Sequence, residues 1–392
     1  MTNPETRIDR ICARHDAVVL DDDGRALARK NELLCAGRHT RVVEERLSKW
    51  LDTSEPVRGA GVTKVRLKPR AKVDIREAAS DLEPHARVAV NALYSGEPHY
   101  EGGPSAPPVR PSRNPRPPRS AGTVVREPSA AVLDTGISAH PWFVKRSWFD
   151  ACGPSNAEIA DTNLDFELDN QAGHGTFITG LLLQRVPGAS VAPVRVLSSD
   201  GITDEAGLIA ALTALQANGA SHLDVVNLSL GGYTHDDRPS PLLSEAIHGL
   251  GSEVAVVAAA GNGASTRPFW PAALKSVIGV GALDASGDRP ADFTNHGWWV
   301  DACAPGQDVT SSYLWFNGPE GNGGSHDPDL FLGYAQWSGT SFATAQVSGA
   351  IAAICAKSGT DAATAAQQLL DPSKHPYVRD LGIAVFKARR AR

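Results

Sequence analysis

Beyond residue 125, short apolar runs alternate with segments whose apolar positions recur every three to four residues. The runs AAVLD (130–134), SVAPVRVL (190–197), DVVNLSL (224–230), EVAVVAAA (253–260) and SVIGVGAL (276–283) read as buried strands. GTFITGLLLQRV (175–186), DEAGLIAALTALQANG (204–219), PLLSEAIHGL (241–250) and SFATAQVSGAIAAICAKSG (341–359) carry the helical spacing. Strands that alternate with helices predict an α/β fold with a parallel sheet flanked by helices. Nearer the start, HDAVVL, VTKVRLKP and RVAVNALY alternate in the strand manner, and VVEERLSKWLD (42–52) and VDIREAASDL (73–82) are helical in spacing. They predict a small α+β domain over 1–100. PSAPPVRPSRNPRPPR (104–119) has neither period and reads as an extended, exposed linker. The division expected is therefore 1–100, a linker over 101–124, and a large domain over 125–392.

Composition changes this picture little. With 42% apolar and 21% charged residues in 392, a sizeable core can form. The net charge of −6 gives no reason to expect nucleic acid, and no stretch approaches a membrane span. The charge is uneven: residues 1–120 hold 22 Lys and Arg against 17 Asp and Glu, leaving 16 against 27 beyond. Opposite signs favour docking of the front domain on the rest. Five scattered cysteines form no CxxC pair or Cys/His cluster, so we expect free thiols, no metal site and a cytoplasmic location. No apolar leader is read in MTNPETRIDRICARHD.

Candidate chemistry begins at AAVLDTGISAHPWF (130–143). Asp-Thr-Gly serves aspartic proteases, which need two carboxylates with split pKa values. A second Asp-Thr-Gly or Asp-Ser-Gly is absent from the sequence, although one copy could serve in a symmetric dimer. AGHGTFITG (172–180) sets His174 at a helix start, and SGTSFATAQVSGAIAA (338–353) does the same for Ser341. AAAGNGA (258–264) ends a buried strand beside Asn262, and NLSLGG (227–232) ends another. Each alone is a helix cap, a surface histidine or a turn. Together they place Asp, His, Asn and Ser at element ends, where functional groups of parallel sheets gather.

This ordered set resembles the subtilisin-like serine protease (subtilase) family over roughly 125–357. The resemblance implies a triad of Asp134, His174 and Ser341, with an oxyanion hole from Asn262 and the Ser341 N–H. Segments matching Ser229-Leu230-Gly231 and Ala259-Ala260-Gly261 would line the pocket for the residue before the scissile bond. The first, with Gly201-Ile202-Thr203, would also pair with extended substrate. Gly173, Gly175 and Gly339 are expected to allow close backbone approach.

Several positions depart from the family. A calcium-holding loop after His174 is trimmed, and the family's His-Pro-Asp reads His140-Pro141-Trp142, so the usual tight calcium site is expected to be lost and no cofactor is implied. NGPEGNGGSHDPD (317–329) reads as an exposed insertion. Ala345 stands where the serine helix usually carries proline, a change a helix tolerates. Phe269 falls near the pocket floor and would narrow it toward small side chains. Asp200, Asp204, Glu205, Asp236 and Asp237 read as a solvated rim, or as a preference for basic substrate.

The function expected is an intracellular serine endopeptidase that matures a specific peptide or protein and processes itself near the linker, restrained or delivered by a front domain that is prodomain-like or a recruitment domain. The alternative is a catalytically silent fold used for binding, with a permanent N-terminal recruitment domain.

Overall fold

A computed structural model of the chain describes residues 7–96, 108–119, 124–162, 164, 166–217, 223–318 and 330–386. Contacts divide the chain into two compact units. One comprises 1–94, 203–220 and 232–251; the other comprises 95–202, 221–231 and 252–392.

The larger unit is built on a sheet whose strands run, edge to edge, Tyr377–Val378, Gly382–Ala384, Ala302–Pro305, Ile278–Leu283, Ala255–Ala259, Val225–Leu228, Ser129–Asp134 and Ser190–Arg195. All neighbours are parallel except the first pair. Parallel strands need cover on both faces, which is why the predicted runs are continuously apolar rather than alternating. Pro193 cannot donate to a ladder and sits in the edge strand, where it is tolerated. The helix Thr340–Ser358 is apolar all round and crosses the core beside His174–Arg185. All five expected strands and the helices at 174–185 and 340–358 are present.

The antiparallel hairpin of Val309–Asn317 and Leu330–Trp337 was not anticipated. Most of the expected insertion, 319–329, lies outside the described residues. The linker is not wholly free: Val109 exchanges backbone hydrogen bonds of 3.0 and 2.8 Å with Gln336 of the hairpin. Residues 101–107 and 120–123 of the linker lie outside the described residues.

The smaller unit carries most of a sheet ordered Leu51–Pro56, Val62–Leu67, Leu27–Ala36, Val88–Ser95 and Ile202–Asp204, antiparallel over the first four, with Ala17–Val19 paired antiparallel on Leu27–Ala36. The helix read over 42–52 spans Thr40–Leu47 instead, and Leu51 opens an edge strand. Helical spacing continues through Trp50 and Leu51, but pairing with Val62–Leu67 claims the backbone there. The helices Glu205–Ala217 and Pro241–His248, both anticipated, belong to this unit. Arg29 meets Asp204 at 2.9 Å, and Arg38 and Arg87 meet Glu245 at 3.3 and 3.0 Å.

The supposed acidic rim is corrected here. Glu205 is fully buried, accepting from Tyr94 Oη at 2.9 Å and from Ser240 Oγ, and burial pushes its carboxyl up to about 7. Asp204 is ion-paired. Neither is a solvated face.

Candidate active site

Asp134 ends its strand at the carboxyl edge of the sheet, one residue before the turn that carries Thr135 and Gly136. Its Oδ1 accepts from Thr135 N at 2.8 Å and lies 2.7 Å from His174 Nδ1. Both side chains are almost wholly buried, 1% and 2% exposed, so the charge interaction is little screened. A carboxylate on Nδ1 fixes the neutral tautomer with its proton there, leaving Nε2 as the basic nitrogen. The His174 ring is walled by Trp337 at 5.4 Å edge-on and by Phe342 at 5.5 Å, which hold its plane.

Two glycines make this approach possible. Gly173 has φ +79°, and a Cβ there would lie 2.4 Å from the Tyr313 ring. A Cβ on Gly175 would lie 2.2 Å from the Gly136 carbonyl oxygen. Gly339, expected to be similar, is not: its backbone is extended, and a Cβ would find an ordinary 3.4 Å contact with Phe342.

Ser341 occupies the first turn of Thr340–Ser358, where unpaired N–H groups and the helix dipole favour negative charge. Asn262 serves as the cap of this helix. Its Oδ1 accepts from Thr340 N and Thr340 Oγ1, each at 2.8 Å. A backbone N–H can only donate, so the oxygen end must face Thr340 and the donor end, Nδ2, faces the other way. A Cβ on Gly339 would stand 3.5 Å from that Nδ2, on the cleft side of the serine turn.

The Ser341 hydroxyl lies 3.2 Å from the Ser229 carbonyl oxygen and 3.3 Å from that of Gly96. Ser229 Oγ returns a bond to the Ser341 carbonyl at 3.0 Å, and Asn227 links Ser229 to Ser348 through two bonds of 2.9 Å. This buried chain ties the serine helix to the end of the strand Val225–Leu228.

The segments named for substrate are occupied by the chain itself. Ser95 exchanges hydrogen bonds of 2.8 and 3.0 Å with Gly231, and Gly96 N donates to Gly201 O at 2.9 Å. Gly96, His174, Asn262, Gly339 and Ser341 share a pocket of about 10 Å³, little more than the room of one water. Leu230, Ala259, Ala260 and Gly261 are buried, and Ile202 is buried after Gly201, whereas Thr203 falls in the smaller unit.

Phe269, expected at the pocket floor, is 1% exposed. His140-Pro141-Trp142 offers no carboxylate: Trp142 packs against His140 at 5.2 Å and Tyr334 at 5.7 Å, and His140 against Trp315 at 5.2 Å. An aromatic cluster does not fit calcium, which wants oxygen ligands. Burial holds His140 low, at about 4, so it stays neutral, its Nε2 3.0 Å from the Gly333 carbonyl oxygen.

Glu158 escaped the sequence reading. Its carboxyl accepts from Thr176 Oγ1 at 3.1 Å, and burial, with Asp134 nearby, pushes it up to about 7. It comes from an irregular segment in which no period or motif marks it.

The model of the Subtilase family matches residues 126–381. Subtilisin-like protease 2 of Pseudogymnoascus destructans is 33% identical over 224 residues, 56% of this chain and 49% of that protein. Subtilisin BL of Lederbergia lenta is 34% identical over 235 residues, 57% of this chain and 74% of its own. Subtilisin E of Bacillus subtilis is 31% identical over 244 residues, 59% of this chain and 56% of its own. The chain thus spans about half the length of some of these relatives. With Asp134 and His174 joined at 2.7 Å at the edge of a parallel sheet, and with the family model matching most of its length, the chain belongs to the Subtilase family of subtilisin-like serine proteases.

Proposed function

We propose that this protein is a serine endopeptidase in which Ser341, His174 and Asp134 form the triad. The observation that carries the reading is the buried 2.7 Å contact of His174 Nδ1 with Asp134, on the same cleft as Ser341 and Asn262. In the reaction, His174 Nε2 removes the hydroxyl proton as Ser341 Oγ bonds to the peptide carbonyl carbon. Asp134 steadies the imidazolium so formed. Asn262 Nδ2 and the Ser341 N–H receive the negative oxygen, and His174 passes its proton to the departing amine. Water then frees the acyl group by the same route.

We further propose that residues 1–100 form a prodomain docked on the peptidase domain, with its tail in the cleft. Support comes from Gly96 at Ser341 and from the pairing of Ser95 with Gly231. The three arginine–carboxylate pairs within the smaller unit join residues 29–87 to segments inside the family-matched range. The Ser341 hydroxyl, engaged with two carbonyls, must turn toward His174 before it can react. Five free thiols support a reducing, cytoplasmic setting, in which a restrained protease maturing one peptide or protein fits better than bulk digestion.

The test follows intact mass over hours at neutral pH for the parent and for Ser341→Ala. Cutting of the parent alone, between about residues 94 and 128 as the span from the tail's end to the family-matched core allows, supports both triad and prodomain. If neither chain is cut and a fluorophosphonate labels neither, the reading fails in favour of a silent binding fold. If the parent is labelled but stays whole, the front domain is permanent and acts in recruitment.

A further inference from the structure

We propose that Phe269 closes the pocket for the residue before the scissile bond, so that this protein accepts only glycine or alanine there. The inference rests on the endopeptidase reading above and names the substrate class of that site.

The geometry starts at the two strand ends that flank the serine. The chain leaving Val225–Leu228 passes Ser229, whose carbonyl oxygen is 3.2 Å from Ser341 Oγ, and reaches Gly231. The chain leaving Ala255–Ala259 passes Gly261 and reaches Asn262. On the endopeptidase reading, the residue before the scissile bond sends its side chain into the gap between these two ends.

That gap holds the Phe269 ring. A Cβ built on Gly231 would lie 2.2 Å from Phe269 Cε1 and 2.7 Å from Cδ1. One built on Gly261 would lie 3.1 Å from both Cδ1 and Cγ. The ring is therefore in close contact with the bare backbone of both walls, and it is 1% exposed. Glycine on both walls is what lets so large a ring fit. The ring cannot swing aside cheaply, because a packed interior has few voids to receive it.

A phenylalanine or leucine before the scissile bond would have to displace the ring, whereas a hydrogen or a methyl would not. Sites of this kind discriminate by shape, and each excess methylene costs on the order of 10–200-fold.

The experiment uses the full chain after it has processed itself, and three probes that react with the serine without peptide hydrolysis. One is a simple fluorophosphonate without a side chain. The others are matched peptidyl diphenyl phosphonates carrying an alanine-like or a phenylalanine-like side chain; in each, Ser341 Oγ bonds to phosphorus as one P–O bond to phenoxide breaks, and His174 passes the serine proton to the phenoxide, which leaves as phenol. Rates are normalised to the fraction the fluorophosphonate labels. The expected result is that the alanine-like probe reacts at least about 100-fold faster than the phenylalanine-like one. Phe269→Gly and Phe269→Val should narrow or invert that ratio. If the parent takes both probes equally well, the closed pocket is overturned while the serine chemistry stands. If no probe labels Ser341, the endopeptidase reading falls and the pocket inference with it. Should the variants not fold, the selectivity of the parent alone decides.

Discussion

At the scale of single residues, the proposed function gives Asn262 two jobs, one for each end of its amide. Its oxygen caps the serine helix through Thr340, and that engagement leaves its amide donor for the reaction. The jobs can be separated. Asn262→Asp keeps the acceptor for Thr340 but removes the donor, while Asn262→Ala removes both. Both should lose about 10²–10³ in kcat with little change in KM, the usual effect of deleting one oxyanion donor. Only Asn262→Ala should also lower Tm, since it alone uncaps the helix. Steady-state kinetics beside thermal melts would check this; a normal kcat in Asn262→Asp would remove Asn262 from the oxyanion hole. The four residues proposed for this centre stand out in the sequence because each sits in a short run of small residues at an element end. Glu158 was not legible. Its environment is set by Thr176 and Asp134, which lie 18 and 24 positions away in a segment without period.

Between elements, the strand Val88–Ser95 and the helix Glu205–Ala217 meet at a buried acid. Tyr94 Oη donates to Glu205, and Asn91 Oδ1 accepts from Ala206 N at 3.2 Å. The folded pKa of Glu205, about 7, stands above its ordinary 4.5, so the fold favours the protonated acid. Its contribution to stability is thus complete below about pH 4.5 and lost as pH rises through 7, by an amount on the order of 3 kcal/mol. Glu205→Gln keeps the shape and removes the charge. Hydrogen-exchange protection at 88–94 and 205–212, with the base-catalysed rise in intrinsic rate divided out, should fall in the parent between about pH 4.5 and 7, the window between the two pKa values, and stay level in the variant. An equal slope in both would assign the effect to another group. This element was visible in the sequence as a helix, but Glu205 read as exposed because a lone acid in a first turn usually is. The strand Leu27–Ala36 was passed over for a related reason: Arg-Lys-Asn-Glu breaks its alternation, yet Glu32 is buried and ion-paired with Arg66.

For the molecule as a whole, the aromatic cluster of His140, Trp142, Trp315 and Tyr334 stands where the family resemblance would seat a carboxylate for calcium. We propose that stability there comes from packing and ring contacts rather than from ion binding. Thermal melts of the purified protein in calcium and in excess EDTA should therefore coincide. A fall of Tm in EDTA that calcium restores would show a metal site elsewhere in the chain, since ligand binding to the folded state alone raises Tm.

The sequence by itself determined five strands of the large sheet, the main helices, the family and the candidate reactive groups. Those depend on local rules: continuous apolar runs for doubly covered strands, and small residues where a strand hands over to a helix. Only the tertiary structure decided what faces what. It brought Gly96 to Ser341, 245 positions apart, set Phe269 between Gly231 and Gly261, and buried Glu205 against Tyr94. No periodicity encodes such meetings, because burial and desolvation depend on which distant segments pack around a group. The same residue types would read identically on an open surface.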